Sequence, residues 1–329
     1  GTNAGAAFDG DTLCNIAIGY RAGCSVNESD HGIFLGTCAG IAYTGMALGC
    51  MIPTVMIGYR AGMGVTTSNA DIIIGSEAGC ANTYLKSSSC CRSNIFIGRG
   101  AGQKVAGNGN HNVFIGEYAG QCHPVSCAVA IGWMALKGDG CTTGNSEQLT
   151  AVGAYALRNI TTGRNNSAFG YLAGGGNTSG HHNFFGGYRA GASQDTGCLS
   201  TYVGARAGQT AKGNYNIFMG AYVAYHWSLT NVNCNIVIGS KTACECNSIK
   251  NQNTIIANNS LHAACNLCDT VVIGYYAGRC NTCAHKNVFI GTCAANDFTA
   301  GCCNVGLGFD VEMPSNSGNC QMAICIGAN

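Results

Sequence analysis

Asn112-Val113-Phe114-Ile115-Gly116-Glu117-Tyr118-Ala119-Gly120 decides the fold, because close copies of it recur from one end of the chain to the other. The shared form is N-φ-φ-φ-G-x-x-A-G, with φ apolar, and clear copies begin at Asn15, Asn94, Asn183, Asn216 and Asn287. Aligned on the glycine after the triplet, the copies fall on Gly19, Gly36, Gly58, Gly75, Gly98, Gly116 and so on to Gly308 and Gly327, with Ala257 in place of one glycine. Eight of the seventeen intervals between these eighteen positions are 17 residues, and the others run from 16 to 23. A fixed period of this size is the signature of a solenoid.

The first and third triplet positions are rich in Ile and Val, as at Val113 and Ile115, and branched residues two apart share one side of a strand. Glycines punctuate every repeat, so no segment is long enough for a regular helix. The expected fold is all-β, a parallel β-solenoid (β-roll or β-helix) of about 18 coils with 17–18 residues each, in one continuous domain over 1–329. The small residue of G-x-x-A-G, such as Ala119, is expected at an inward corner. The Asn that heads ten of the eighteen copies is expected to stack into a hydrogen-bonded ladder. Arcs such as Thr142-Thr143-Gly144 and Thr161-Thr162-Gly163 read as polar turns facing solvent. Three lengthened repeats, around 42–53, 80–93 and 137–148, read as outward loops.

The middle triplet position is apolar as well, and strands apolar on both sides are buried on both sides. Phe34, Phe96, Phe114, Phe185, Phe218 and Phe289 are therefore expected to form an oligomer interface near the axis of a homo-oligomer, most simply a trimer.

Charged residues make up 9% of the 329, with 16 Lys and Arg against 15 Asp and Glu. No basic field exists for nucleic acid, and no apolar run approaches the roughly 20 residues of a membrane helix. Partners are thus expected to be copies of the chain itself, with no nucleic acid and no membrane insertion. Both ends fall in mid-repeat, as expected of a segment of a longer fibre or of a subunit that stacks end to end.

The 23 cysteines point to an oxidising compartment, although a thiol is also a small buried apolar group. Cys265, Cys268, Cys280 and Cys283 have the C-x2-C-x11-C-x2-C spacing of a zinc site. The alternative is stacking of the two pairs in adjacent arcs at disulfide distance, and no metal or cofactor is expected. Tyr20-Arg21, Tyr59-Arg60 and Tyr188-Arg189 repeat one phase and make a stripe suited either to glycan contact or to packing between subunits. His31, His111 and His182 also share one phase, just before the strand, and so read as a repeat column instead of a catalytic site.

The N-φ-φ-φ-G-x-x-A-G units joined by T-T-G-x-x-N arcs resemble the repeat regions of bacteriophage tail fibres, particularly those of marine cyanophages. They are similar, less closely, to the N-S-x-A-I-G repeats in head domains of trimeric autotransporter adhesins. The resemblance implies a trimeric, elongated β-roll or β-helix displaying a surface-binding region on a virion or cell exterior. The expected function is a structural, non-enzymatic fibre shaft. A self-assembling extracellular filament subunit is the second reading. The third is an acyltransferase-like left-handed β-helix, because Ile18-Gly19-Tyr20-Arg21-Ala22-Gly23 fits a hexapeptide pattern once per coil.

Overall fold

The computed structural model describes residues 1–9, 12–45, 53–67, 70–81, 93–104, 109–123, 125–138, 146–225, 232–244, 251–261 and 265–325, apart from the side chains of 265, 266 and 284. Thr142-Thr143-Gly144, Gly327 and most of the three lengthened loops lie outside the described residues. The chain divides into two compact units, Gly1–Asn165 and Asn166–Asn329. Each is a parallel β-solenoid, and every described regular element is a strand.

In the first unit the triplets form three-residue strands from Ile16–Ile18 to Thr150–Val152, each hydrogen-bonded in parallel to the equivalent strand of the next coil. The register is that of the repeat, so Phe96 lies beside Phe114 and Ile97 beside Ile115. In the second unit the same ladder runs from Ser167–Phe169 to Met322–Ile324. Its last rung corrects the sequence alignment. Leu307 pairs with Ile324, so Cys325 and not Gly327 occupies the position of the repeat glycine.

That position is glycine in the other coils, Ala257 apart, for a steric reason. Gly116 has φ +132°, and a Cβ built on it would lie 2.6 Å from the carbonyl oxygen of Gly132 in the next coil. Successive repeat glycines make the same approach in both units. The column therefore brings neighbouring coils together along their backbones.

The interior is a second correction. Phe34, Phe96, Phe114, Phe185, Phe218 and Phe289 are no more than 1% exposed within a single chain. They fill the inside of the coil and are not an interface between copies. Phe96 and Phe114 stack with ring centroids 5.2 Å apart and planes at 12°. The corner alanines, from Ala22 to Ala156 in the first unit and including Ala173, Ala190 and Ala207 in the second, are fully buried beside them.

The arcs also supply an inward residue, seven positions after the repeat glycine. Val26, Tyr43, Val65 and Ile160 hold it in the first unit, Ala211 and Phe298 in the second, and all are buried. Arcs are thus not wholly solvent-facing, although Thr162 is exposed as expected.

The Asn ladder forms, mostly through the backbone. Asn112 Oδ1 accepts from the backbone N–H of Ala128 in the next coil at 3.0 Å, and its Nδ2 donates to the Val125 carbonyl at 2.9 Å. Asn166, Asn183, Asn287 and Asn304 repeat this double bond in the second unit. Among the described residues of this ladder, Asn216, Asn235 and Asn253 also link amide to amide. These side chains are buried, and each amide replaces the water its backbone partners would otherwise need.

Candidate functional site

With the middle triplet position turned inward, the first and third positions face outward. In the first unit Ile18 is 63% exposed and Ile131 38%. In the second, Phe169, Phe184, Ile217, Met219, Ile236, Ile256, Ile290, Met322 and Ile324 are all exposed. Ile217 pairs in register with Ile236, so these residues form columns and not scattered spots. Isolated exposed apolar side chains are ordinary, but a registered column of them is a surface with something to cover.

Tyr20, Tyr59 and Tyr188 border this face and are exposed, as are Trp133, Tyr171 and Tyr275 in the same phase. The arginine partners Arg21, Arg60 and Arg189 all have φ near +54°, a left-handed conformation that costs a non-glycine residue roughly 1–2 kcal/mol. Each earns its place by an inter-coil bond: Arg21 donates to Thr2, Arg60 to Thr37 and Arg189 to Tyr171. The guanidinium of Arg60 sits 5.1 Å from the Tyr59 ring centroid, and that of Arg189 lies 5.5 Å from Tyr188. Tyr171 and Tyr188 stack at 5.6 Å. Arg206 adds a bond to the Tyr225 hydroxyl at 2.9 Å and lies over the Tyr188 and Tyr222 rings. Part of the aromatic face area is thus covered within the stripe.

The cysteines of the zinc-like spacing fall on neighbouring coils. Cys265 is in backbone register with Cys283, whereas Cys268 is opposite His285, with 3.0 Å between its sulfur and Nδ1. Cys280 stands elsewhere, its N–H on the Asn296 carbonyl. The local rise from one arc to the next is 17 to 18 residues, so a 15-residue offset does not stack the two pairs. Cys280 and Cys283 are free thiols at the surface. No group of three or more His, Cys, Asp or Glu among the described residues is arranged to hold a metal ion. His31, His111 and His182 keep one repeat phase, each at φ 58–59°.

One titratable group was not singled out by its sequence. His123 takes the inward arc position held elsewhere by Val26, Tyr43 and Val65, and counting seven residues from Gly116 finds it. It is hydrogen-bonded through Nε2 to the Ser146 hydroxyl. Burial pushes its pKa down to about 4. A base whose folded pKa is depressed contributes stability that is complete above the unfolded value, roughly 6.5, and is lost as pH falls from there toward 4. Acidification across that window should cost the first unit about 3 kcal/mol. Denaturation of the chain and of His123→Gln at pH 7.5 and pH 4 checks this. The variant should lose less stability between the two pH values, and equal losses would show that His123 is not the group responsible.

Each unit is therefore a repeat β-solenoid, cysteine-rich, with a filled interior and an apolar outer face. No protein-family model, no curated protein and no solved structure matches the chain. Among the described residues no helix is long and apolar enough to cross a membrane.

Proposed function

We propose that the chain is a structural, non-enzymatic segment of a fibre shaft in an adhesive appendage, of the kind found in phage tail fibres, assembled as a homotrimer on a virion or cell exterior. One observation carries this reading: the outer triplet columns are largely apolar and run from half-buried to exposed in the single chain, although the middle triplet residues already fill its interior. At roughly 25 cal/mol per Å2 such columns favour burial, and identical repeats on identical chains offer a self-complementary cover. The interface expected at the Phe column is thereby moved to Ile18, Ile131, Ile217, Ile236 and their neighbours. Contact with cell-surface glycans belongs to the same proposal, through the exposed Tyr20, Tyr59 and Tyr188, with Arg21, Arg60 and Arg189 beside them. Light scattering from the purified chain at micromolar concentration tests the assembly, with a mass of three chains expected. A stable monomer would overturn it, and open-ended growth with concentration would replace the shaft by a self-assembling filament subunit.

A further inference from the structure

The residue before the Asn ladder is outward-facing and left-handed in most coils, and five exposed cysteines share it: Cys14, Cys127, Cys234, Cys303 and Cys320. Two of them, Cys303 and Cys320, fall on consecutive coils. The pairing of Val305 with Met322 puts them opposite one another, two residues before each strand. Cys303 donates its N–H to the His285 carbonyl at 3.1 Å, and Cys320 to the Cys302 carbonyl at 3.0 Å, so both are held in the stack by backbone bonds. Their φ angles, 61° and 54°, match, which aims their side chains alike.

Parallel partners one coil apart have Cα atoms roughly 4.8 Å apart, inside the 4.4 to 6.8 Å range that a disulfide spans. Cys302 completes the cluster. Its thiol is held above its usual range by a hydrogen bond with Cys303, then by desolvation and by the charges of Cys303 and Cys320, against the nearby Lys286. All three sulfurs therefore share one patch. Adjacent residues such as Cys302 and Cys303 have Cα atoms only about 3.8 Å apart across a trans peptide, too close for an unstrained bridge.

We propose that Cys303 and Cys320 are a thiol–disulfide exchange site, at which a low-molecular-weight disulfide of the glutathione type oxidises them to a bridge between consecutive coils. Deprotonated Cys303 attacks one sulfur of the small disulfide, forming a mixed disulfide and expelling a thiolate that takes up the released proton. Deprotonated Cys320 then attacks the Cys303 sulfur, closing the bridge and expelling the second small thiolate, which is protonated in turn. Two protein thiols lose two electrons and two protons, and the small disulfide gains them as two thiols. The bridge closes a loop of one repeat and ties the coil of Val305–Leu307 to that of Met322–Ile324.

Cys14 is the internal control. It shares the column, but the next coil carries His31 there, so no thiol stands ready to displace the adduct. The full-length chain is incubated with glutathione disulfide, alkylated and mapped by mass spectrometry without reduction. The expected products are a Cys303–Cys320 cross-linked peptide and a persistent glutathione adduct on Cys14. In Cys320→Ser, checked to be folded by circular dichroism, the adduct should instead persist on Cys303. Recovery of a Cys302–Cys303 link, of stable adducts on both Cys303 and Cys320 in the unaltered chain, or of free thiols there while Cys14 reacts would each overturn the proposal.

Discussion

Phe114→Ala should lower the stability of the first unit by about 3–5 kcal/mol, the range for deleting a fully buried aromatic ring. Phe114 has no measurable exposure, and its ring stacks on Phe96 one coil away. Gly120 closes over it so tightly that an added Cβ would run into the Phe114 ring. Urea titration followed by circular dichroism measures the loss, and Ile115→Ala, at a half-buried outward position, provides the comparison with an expected cost of about 1 kcal/mol. If Phe114 were an interface residue, its removal would dissociate copies and leave the coil folded. The structure predicts unfolding instead.

Gly116→Ala should be nearly as severe, at about 3 kcal/mol or more, although it adds a single methyl group. Two costs coincide. The φ of +132° lies where L-residues rarely go, and the new Cβ would run into the Gly132 carbonyl, a backbone atom that its own coil holds in place. Relief would require the two coils to separate and so to lose the bonds between Val113–Ile115 and Val129–Ile131. A thermal midpoint within a degree or two of the unaltered chain would show that the glycine column is not what sets the approach of coils.

Much of this fold was legible because two periods act together. The period of two within Val113-Phe114-Ile115 marks a strand, and the period near 17 stacks those strands in parallel. The small corner residue and the Asn ladder were legible too, since Ala119 and Asn112 recur in fixed phase and their chemistry allows few roles. The sidedness of the triplet was not. Alternation says that Val113 and Ile115 share one side and Phe114 takes the other, but with both sides apolar nothing local says which is inside. The ladder held the missing signal. Asn112 is two residues before Phe114 and thus on its side, and its buried amide bonds to its own coil and the next.

Other details were hidden by irregular arcs. The inward arc column mixes Val26, Tyr43, His123, Asn177 and Phe298, so hydropathy shows no pattern, and only counting from the repeat glycine reveals it. The last coil misled because Gly327 is a glycine and Cys325 is not, yet the ladder register follows Gln321, whose N–H bonds to Asn304 Oδ1 at 2.9 Å. The stacking of the arc cysteines was legible only in part, because the 15-residue offset of the two pairs falls short of a full coil and leaves Cys265 opposite Cys283 instead of Cys280.

The central claim is that the chain fills its own interior and leaves the outer triplet columns to be covered by further copies. Sedimentation velocity on Ile217→Asp/Ile236→Asp, alongside the unaltered chain and with circular dichroism on both, tests it most directly. These two residues are exposed, stacked in register and outside the core, so the account predicts a trimer for the unaltered chain and a folded monomer for the variant. An unaltered chain that sediments as a folded monomer, or a double variant that keeps the mass of the assembly, would contradict it.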